Sequence, residues 1–135
     1  LQIKRGRSGA VIIDDTYNAN PDSVRAAIEV LRELPGRRIL VLGDMGEVGE
    51  RGEMFHRETG RCALEAGIDE LLAIGDQAAH AFSEFGSGGI WYARIEGLLD
   101  DLAAKAVAGT TILVKGSRFM RMERVVAALV EEDPG

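Results

Sequence analysis

Cysteine, histidine and aromatic residues are all scarce in this sequence of 135 residues. The single cysteine, Cys62, has no partner for an internal disulfide, and His56 and His80 are too few to complete a zinc set with it. Neither a disulfide scaffold nor a structural metal site is expected. Apolar runs reach only about five residues against the roughly 20 that span a bilayer, and no signal-peptide pattern opens the chain. The expectation is a soluble, cytoplasmic protein with no membrane partner. Basic residues are outnumbered 22 to 16, and the net charge of −6 disfavours nucleic acid as a partner. Catalytic signatures are missing as well. There is no P-loop, because Lys115-Gly116-Ser117 reverses the required order, no Gly-x-Gly-x-x-Gly at the first strand-to-helix turn, and no Gly-x-Ser-x-Gly elbow. A self-contained kinase, dehydrogenase or hydrolase is disfavoured. The chain opens without methionine on Leu1-Gln2-Ile3-Lys4-Arg5, and a piece of a longer polypeptide is expected.

What is present is a core. Apolar residues make up 46% of the chain, enough for one domain at this length. Ile3 and the run Val11-Ile12-Ile13 flank Gly6-Arg7-Ser8-Gly9, which predicts an amino-terminal hairpin or antiparallel edge strand. Val24, Ala27, Ile28, Leu31 and Leu34 recur at helical spacing, with Asn20 as the N-cap and Pro21 at the first helical position; this helix is expected to stop at Pro35-Gly36. Ile39-Leu40-Val41-Leu42, Leu71-Leu72-Ala73-Ile74 and Thr111-Ile112-Leu113-Val114 read as strands buried on both faces. Ile90-Trp91-Tyr92-Ala93 reads as a further strand. Helices are expected over Phe55 to Ala66, Ala78 to Phe85, Leu98 to Ala106 and Met122 to Leu129. Strand and helix alternate about five times, which predicts a three-layer α/β domain around an open, mostly parallel sheet.

Ligands in such sheets sit at the carboxyl ends of the strands. Three strand ends carry polar clusters: Asp14-Asp15-Thr16-Tyr17-Asn18-Ala19-Asn20-Pro21, Gly43-Asp44-Met45-Gly46-Glu47, and Lys115-Gly116-Ser117-Arg118. The first offers a carboxylate, amides and a helix start, and exceeds what an N-cap at Asn20 alone requires. The third places two cations around a glycine at the entrance to a helix, a chemistry suited to phosphate or carboxylate. Gly43-Asp44 alone is equally a turn. His56 and His80, without a partner carboxylate, read as structural or surface residues. Cys62, Met120 and Met122 read as packing residues.

These clusters, with Asp22-Ser23 after the first and Arg121-Met122-Glu123 after the third, resemble the carboxy-terminal domain of Mur ligases, specifically the MurF type that adds D-alanyl-D-alanine to UDP-N-acetylmuramoyl-tripeptide. The resemblance runs from Arg5 to Leu129. It departs at Thr16, where serine is usual, and at Gly46, where a larger apolar residue is common. It implies a Rossmann-like third domain, with separate upstream domains for the UDP-sugar and for ATP and Mg²⁺. No self-sufficient catalytic set and no metal ligands are then expected in this chain. It further implies that Asp15, Tyr17, Asn18 and Asn20 lie on the nucleotide side, and that Asp44, Lys115, Ser117 and Arg118 serve the dipeptide or the reaction intermediate. Asp44 would hold the incoming ammonium or shape its loop. Replacing Asp15 or Arg118 by alanine is expected to remove surface polar groups only. The alternative is a stand-alone nucleotide- or anion-binding module of the same fold. A response-regulator-like domain fits the alternation but lacks the partner acids and lysine that phosphotransfer needs.

Overall fold

A computed structural model of the chain describes residues 1–17, 19–46 and 48–130; the candidate Asn18 lies outside the described residues. β1 (Gln2–Arg5) and β2 (Val11–Asp15) form the expected hairpin, antiparallel, with Gln2 opposite Asp14. α1 (Pro21–Arg32) begins on the expected cap. The Asn20 side chain accepts from the Ser23 N–H at 2.9 Å and the Ser23 hydroxyl accepts from the Asn20 N–H at 3.0 Å, a reciprocal capping box. The helix ends at Arg32, short of Pro35-Gly36, and Leu34 follows as a half-buried residue outside it.

Then come β3 (Arg37–Gly43), α2 (Gly52–Glu65), β4 (Glu70–Ile74), α3 (Ala78–Phe85), β5 (Gly89–Tyr92), α4 (Ile95–Lys105), β6 (Thr110–Lys115) and α5 (Glu123–Leu129). The six strands lie in the order β1-β2-β6-β3-β4-β5, all parallel except β1. The chain travels one way along the sheet from β2 to β5 and then returns to insert β6 between β2 and β3. Right-handed crossovers put helices from opposite directions of travel on opposite faces. Accordingly α1, α2 and α3 pack on one face, where Ile28, Leu31, Ala63 and Phe85 meet Ile13, Leu40, Leu71 and Leu113. α4 and α5 cover the other, where Leu98, Leu102, Val125 and Leu129 meet Ile12, Val41, Leu72 and Val114. Among the described residues no helix is long and apolar enough to cross a membrane.

The last helix differs from the sequence reading. A 3-10 turn (Arg118–Met120) follows β6, and Arg121, at φ 52°, turns the chain into an α5 that starts only at Glu123. Lys115-Gly116-Ser117-Arg118 therefore does not stand at the entrance to an α-helix. Met122 is the physical reason: its side chain seats over Gly43 and Gly116 at two adjacent strand ends, and the chain must turn to place it there.

Candidate nucleotide and acceptor site

The strand order creates a divide. β2 feeds α1 on one face, its neighbour β6 feeds the turn and α5 on the other, and the two exits separate at their carboxyl ends. An open crevice of about 590 Å³ lies there, with Asp14, Asp15, Thr16, Tyr17, Arg118 and Glu123 in its lining. Asp15, Tyr17 and Arg118, from two separate clusters of the sequence, thus share one concavity. Tyr17 is 74% exposed, and the Arg118 guanidinium carbon lies over its ring, 5.0 Å from the centroid, a cation–π contact at the mouth.

The strand period of two divides the acids. Asp15 is level with Lys115 in the β2–β6 register and Ile13 with Leu113, so both polar side chains continue the row that faces α1. The Lys115 Nζ donates to Asp15 Oδ2 at 2.9 Å and to Ser23 Oγ at 3.4 Å, and Lys115 itself is 0% exposed. Its ammonium lies beneath the crevice and is not presented to solvent. Asp15→Ala is likewise more than a surface change, since it strands a buried charge. Asp14 faces the other way. It accepts from Lys4 Nζ at 2.8 Å and from the Thr16 hydroxyl at 2.7 Å. Burial pushes its pKa up, but the Lys4 and Thr16 hydrogen bonds and the Lys4 charge outweigh burial and hold it below the ordinary value. Thr16 needs only its hydroxyl for this contact, so threonine does the work of serine.

The second and third clusters brace each other. The Ser117 N–H donates to the Asp44 carbonyl at 3.0 Å, and the Gly46 N–H donates to the Ser117 hydroxyl. Asp44 Oδ1 accepts from the Ala78 N–H at 2.7 Å and so supplies, from another element, the cap that Gln77 does not give α3. The Asp44 carboxylate is thereby tied to the start of α3. Gly46 packs against Ser117 and Phe119, so a larger residue there would displace the exposed Phe119 ring. Behind this loop His56 is 0% exposed; its Nε2 accepts from the Met45 N–H at 3.0 Å and its Nδ1 is 2.6 Å from the Gly52 carbonyl. That geometry assigns the neutral tautomer with the proton on Nδ1. Burial lowers its pKa, against the Gly52 hydrogen bond and the Asp44 charge, with His80 adding to the depression.

A second hollow of about 390 Å³ lies between Asn20 and Pro21 on one side and Gly46, Val48 and Phe55 on the other. Asn20 sits there as a cap, apart from the Tyr17–Arg118 contact. The brace of His56 and the clamp on Ser23 were not apparent from sequence, because both depend on partners 11 and 92 positions away. Among the described residues no group of three or more His, Cys, Asp or Glu side chains is placed to hold a metal.

The sequence model for the Mur ligase glutamate ligase domain matches residues 1–118. The chain is 46% identical over 125 residues to the UDP-N-acetylmuramoyl-tripeptide–D-alanyl-D-alanine ligase of Escherichia coli, across 90% of this chain and 27% of that one. The Bacillus subtilis ligase of the same name is 36% identical over 138 residues, across 97% of this chain and 30% of that one. Among solved structures, MurF ligase from Thermotoga maritima in complex with ADP superposes with a TM-score of 0.83 at 31% identity, over 94% of this chain and 29% of that one. A MurF structure from Acinetobacter baumannii gives 0.84 at 34% identity, over 94% and 28%.

Proposed function

The chain belongs to the Mur ligase family as a carboxy-terminal domain of the MurF type, and from that premise we propose that it completes the active site of an ATP-dependent ligase joining D-alanyl-D-alanine to UDP-N-acetylmuramoyl-tripeptide in the cytoplasm. The chain spans 27–30% of the length of the curated relatives named above. The UDP-sugar and the phosphate-gripping P-loop fall to other domains of the same polypeptide. In the reaction, ATP passes its terminal phosphoryl group to the tripeptide carboxylate, giving an acyl phosphate and ADP. The D-alanyl-D-alanine amine then attacks the acyl carbon, loses its proton, and the tetrahedral intermediate expels phosphate as the amide forms.

One observation carries the reading: at the point where the strand exits diverge, a carboxylate fixed from below, an exposed aromatic face and the guanidinium over it converge on one crevice. These groups fit a nucleoside. Asp15 accepts from ribose hydroxyls, Tyr17 offers a flat apolar face, and Arg118 meets an anionic oxygen of phosphate or of the dipeptide. A triphosphate cradle is not among them, which is the division of labour the reading requires. Mg²⁺, bound by the other domains, would neutralise phosphate charge. An acyl phosphate must also be kept from water, and a domain that closes over it provides that shelter while delivering the acceptor.

Arg118→Ala and Tyr17→Ala in the full-length protein test the assignment, since both side chains are exposed and their loss leaves the core untouched. The expected result is a fall in kcat/KM of about tenfold or more for Arg118→Ala, the weight of one charge-assisted contact, and a smaller fall for Tyr17→Ala. Unfolding midpoints should stay at the wild-type value. Unchanged kinetics in both variants would refute the site.

A further inference from the structure

A lysine at a strand end ordinarily keeps its ammonium in water, whereas Lys115 is wholly buried and so bears a desolvation penalty that only specific partners offset. Those partners are informative. Asp15 is the last residue of β2 and Ser23 lies in the first turn of α1, so one ammonium ties together the two ends of the loop that carries Tyr17 and Asn20. Ser23 is itself immobilised. Its hydroxyl accepts from the Asn20 N–H at 3.0 Å and donates to the Asn20 carbonyl at 3.1 Å, so the clamp reaches into the helix cap. Lys115 holds Oδ2, while Oδ1 faces the crevice-lining Leu1, whose amino group lies 3.9 Å away.

We propose that Lys115 is a positioning residue, which fixes the Asp15 carboxylate against the first turn of α1 in the orientation that receives the nucleotide. The proposal rests on the reading of the crevice as the nucleotide side of the ligase. It assigns Lys115 no contact with substrate, and its influence passes through Asp15.

The test is steady-state kinetics on the full-length protein with Asp15→Asn, Lys115→Met and the double variant, each checked by thermal unfolding. Lys115→Met should raise KM for ATP about tenfold or more while kcat changes less than about threefold, the split expected when binding geometry is lost and the chemistry is not. Asp15→Asn should do the same, and the double variant should be no worse than the weaker-binding single by more than about twofold. Multiplicative effects in the double variant, or an unchanged KM in Lys115→Met beside a raised one in Asp15→Asn, overturn the proposal. If Asp15→Asn alone alters no substrate's KM, the reading of the crevice falls and the proposal with it. Should Lys115→Met fail to fold, the double variant, which buries no unpaired charge, decides: a KM equal to that of Asp15→Asn supports the proposal, and a further rise overturns it.

Discussion

His56 shows what one buried ring can do for a loop. Its neutral form accepts the Met45 N–H, and a proton on Nε2 would set two donors against each other in a site without water access. Because its native pKa lies below the ordinary value, the native state binds fewer protons than the unfolded chain as pH falls from about 6.5 toward the native pKa. Stability is therefore complete above pH 6.5 and declines through that window, by about 1.4 kcal/mol for each unit of depression. Urea unfolding of the isolated domain, followed as the pH is lowered from above about 6.5, should show this loss, and His56→Gln should flatten it. Asp14 and Glu70, whose pKa values are also depressed, lose their contributions only at more acid pH and leave the His56 window clear. At this scale the sequence was half legible. Asp15, Tyr17 and Arg118 could be placed at strand ends because the apolar tetrads before them mark where the strands stop. The burial of Lys115 was not read, although the residue lies two positions beyond Leu113 on a strand whose alternate side chains face α1. A charge at a strand end suggests solvent, and only the neighbouring helix shows otherwise.

Between elements, α2 and α3 pack backbone to backbone at Gly60. A methyl group on Gly60 would fall on the backbone carbonyl of Ala81, and no side chain is free to give way. Gly97 in α4 is the contrast, since a methyl there would meet only the Tyr92 ring, at an ordinary 3.4 Å. Gly60→Ala should therefore destabilise by up to about 2 kcal/mol net, an overpacking cost near the upper end of about 1–3 kcal/mol outweighing the roughly 1 kcal/mol that alanine gains in helix propensity. Gly97→Ala should be neutral or stabilising by up to about 1 kcal/mol. Equal urea midpoints for the two variants would contradict the account. Most elements were legible because their apolar spacing changes cleanly from every second residue or a continuous run to every third and fourth. The limits of α1 and α5 were not. α1 stops at Arg32 before its proline, and α5 is delayed by the seat that Met122 takes over Gly43 and Gly116, a tertiary contact without any local mark in the chain.

For the whole molecule, apolar packing on both faces of the sheet argues that the 135-residue chain folds by itself. Purified alone it should unfold cooperatively in urea, and under the proposed function it should form no ADP from ATP when given the tripeptide and dipeptide named there, since its sequence holds no P-loop. Turnover by the isolated chain would overturn the division of labour. The layered class could be read from the alternation of strand and helix. The order of the strands could not, because the insertion of β6 between β2 and β3 is settled by lateral pairing between residues some hundred positions apart, such as Asp15 and Lys115.

The hairpin has a mechanical implication. β1 runs against its neighbours, so its first residue stands at the rim, with Gln2 opposite Asp14, and not at the far edge of the sheet. Leu1 and Gln2 accordingly line the crevice themselves, and the pairing of β1 with β2 pins them at its mouth. Loosening that hairpin would therefore unsettle the floor of the crevice and not merely fray an outlying strand.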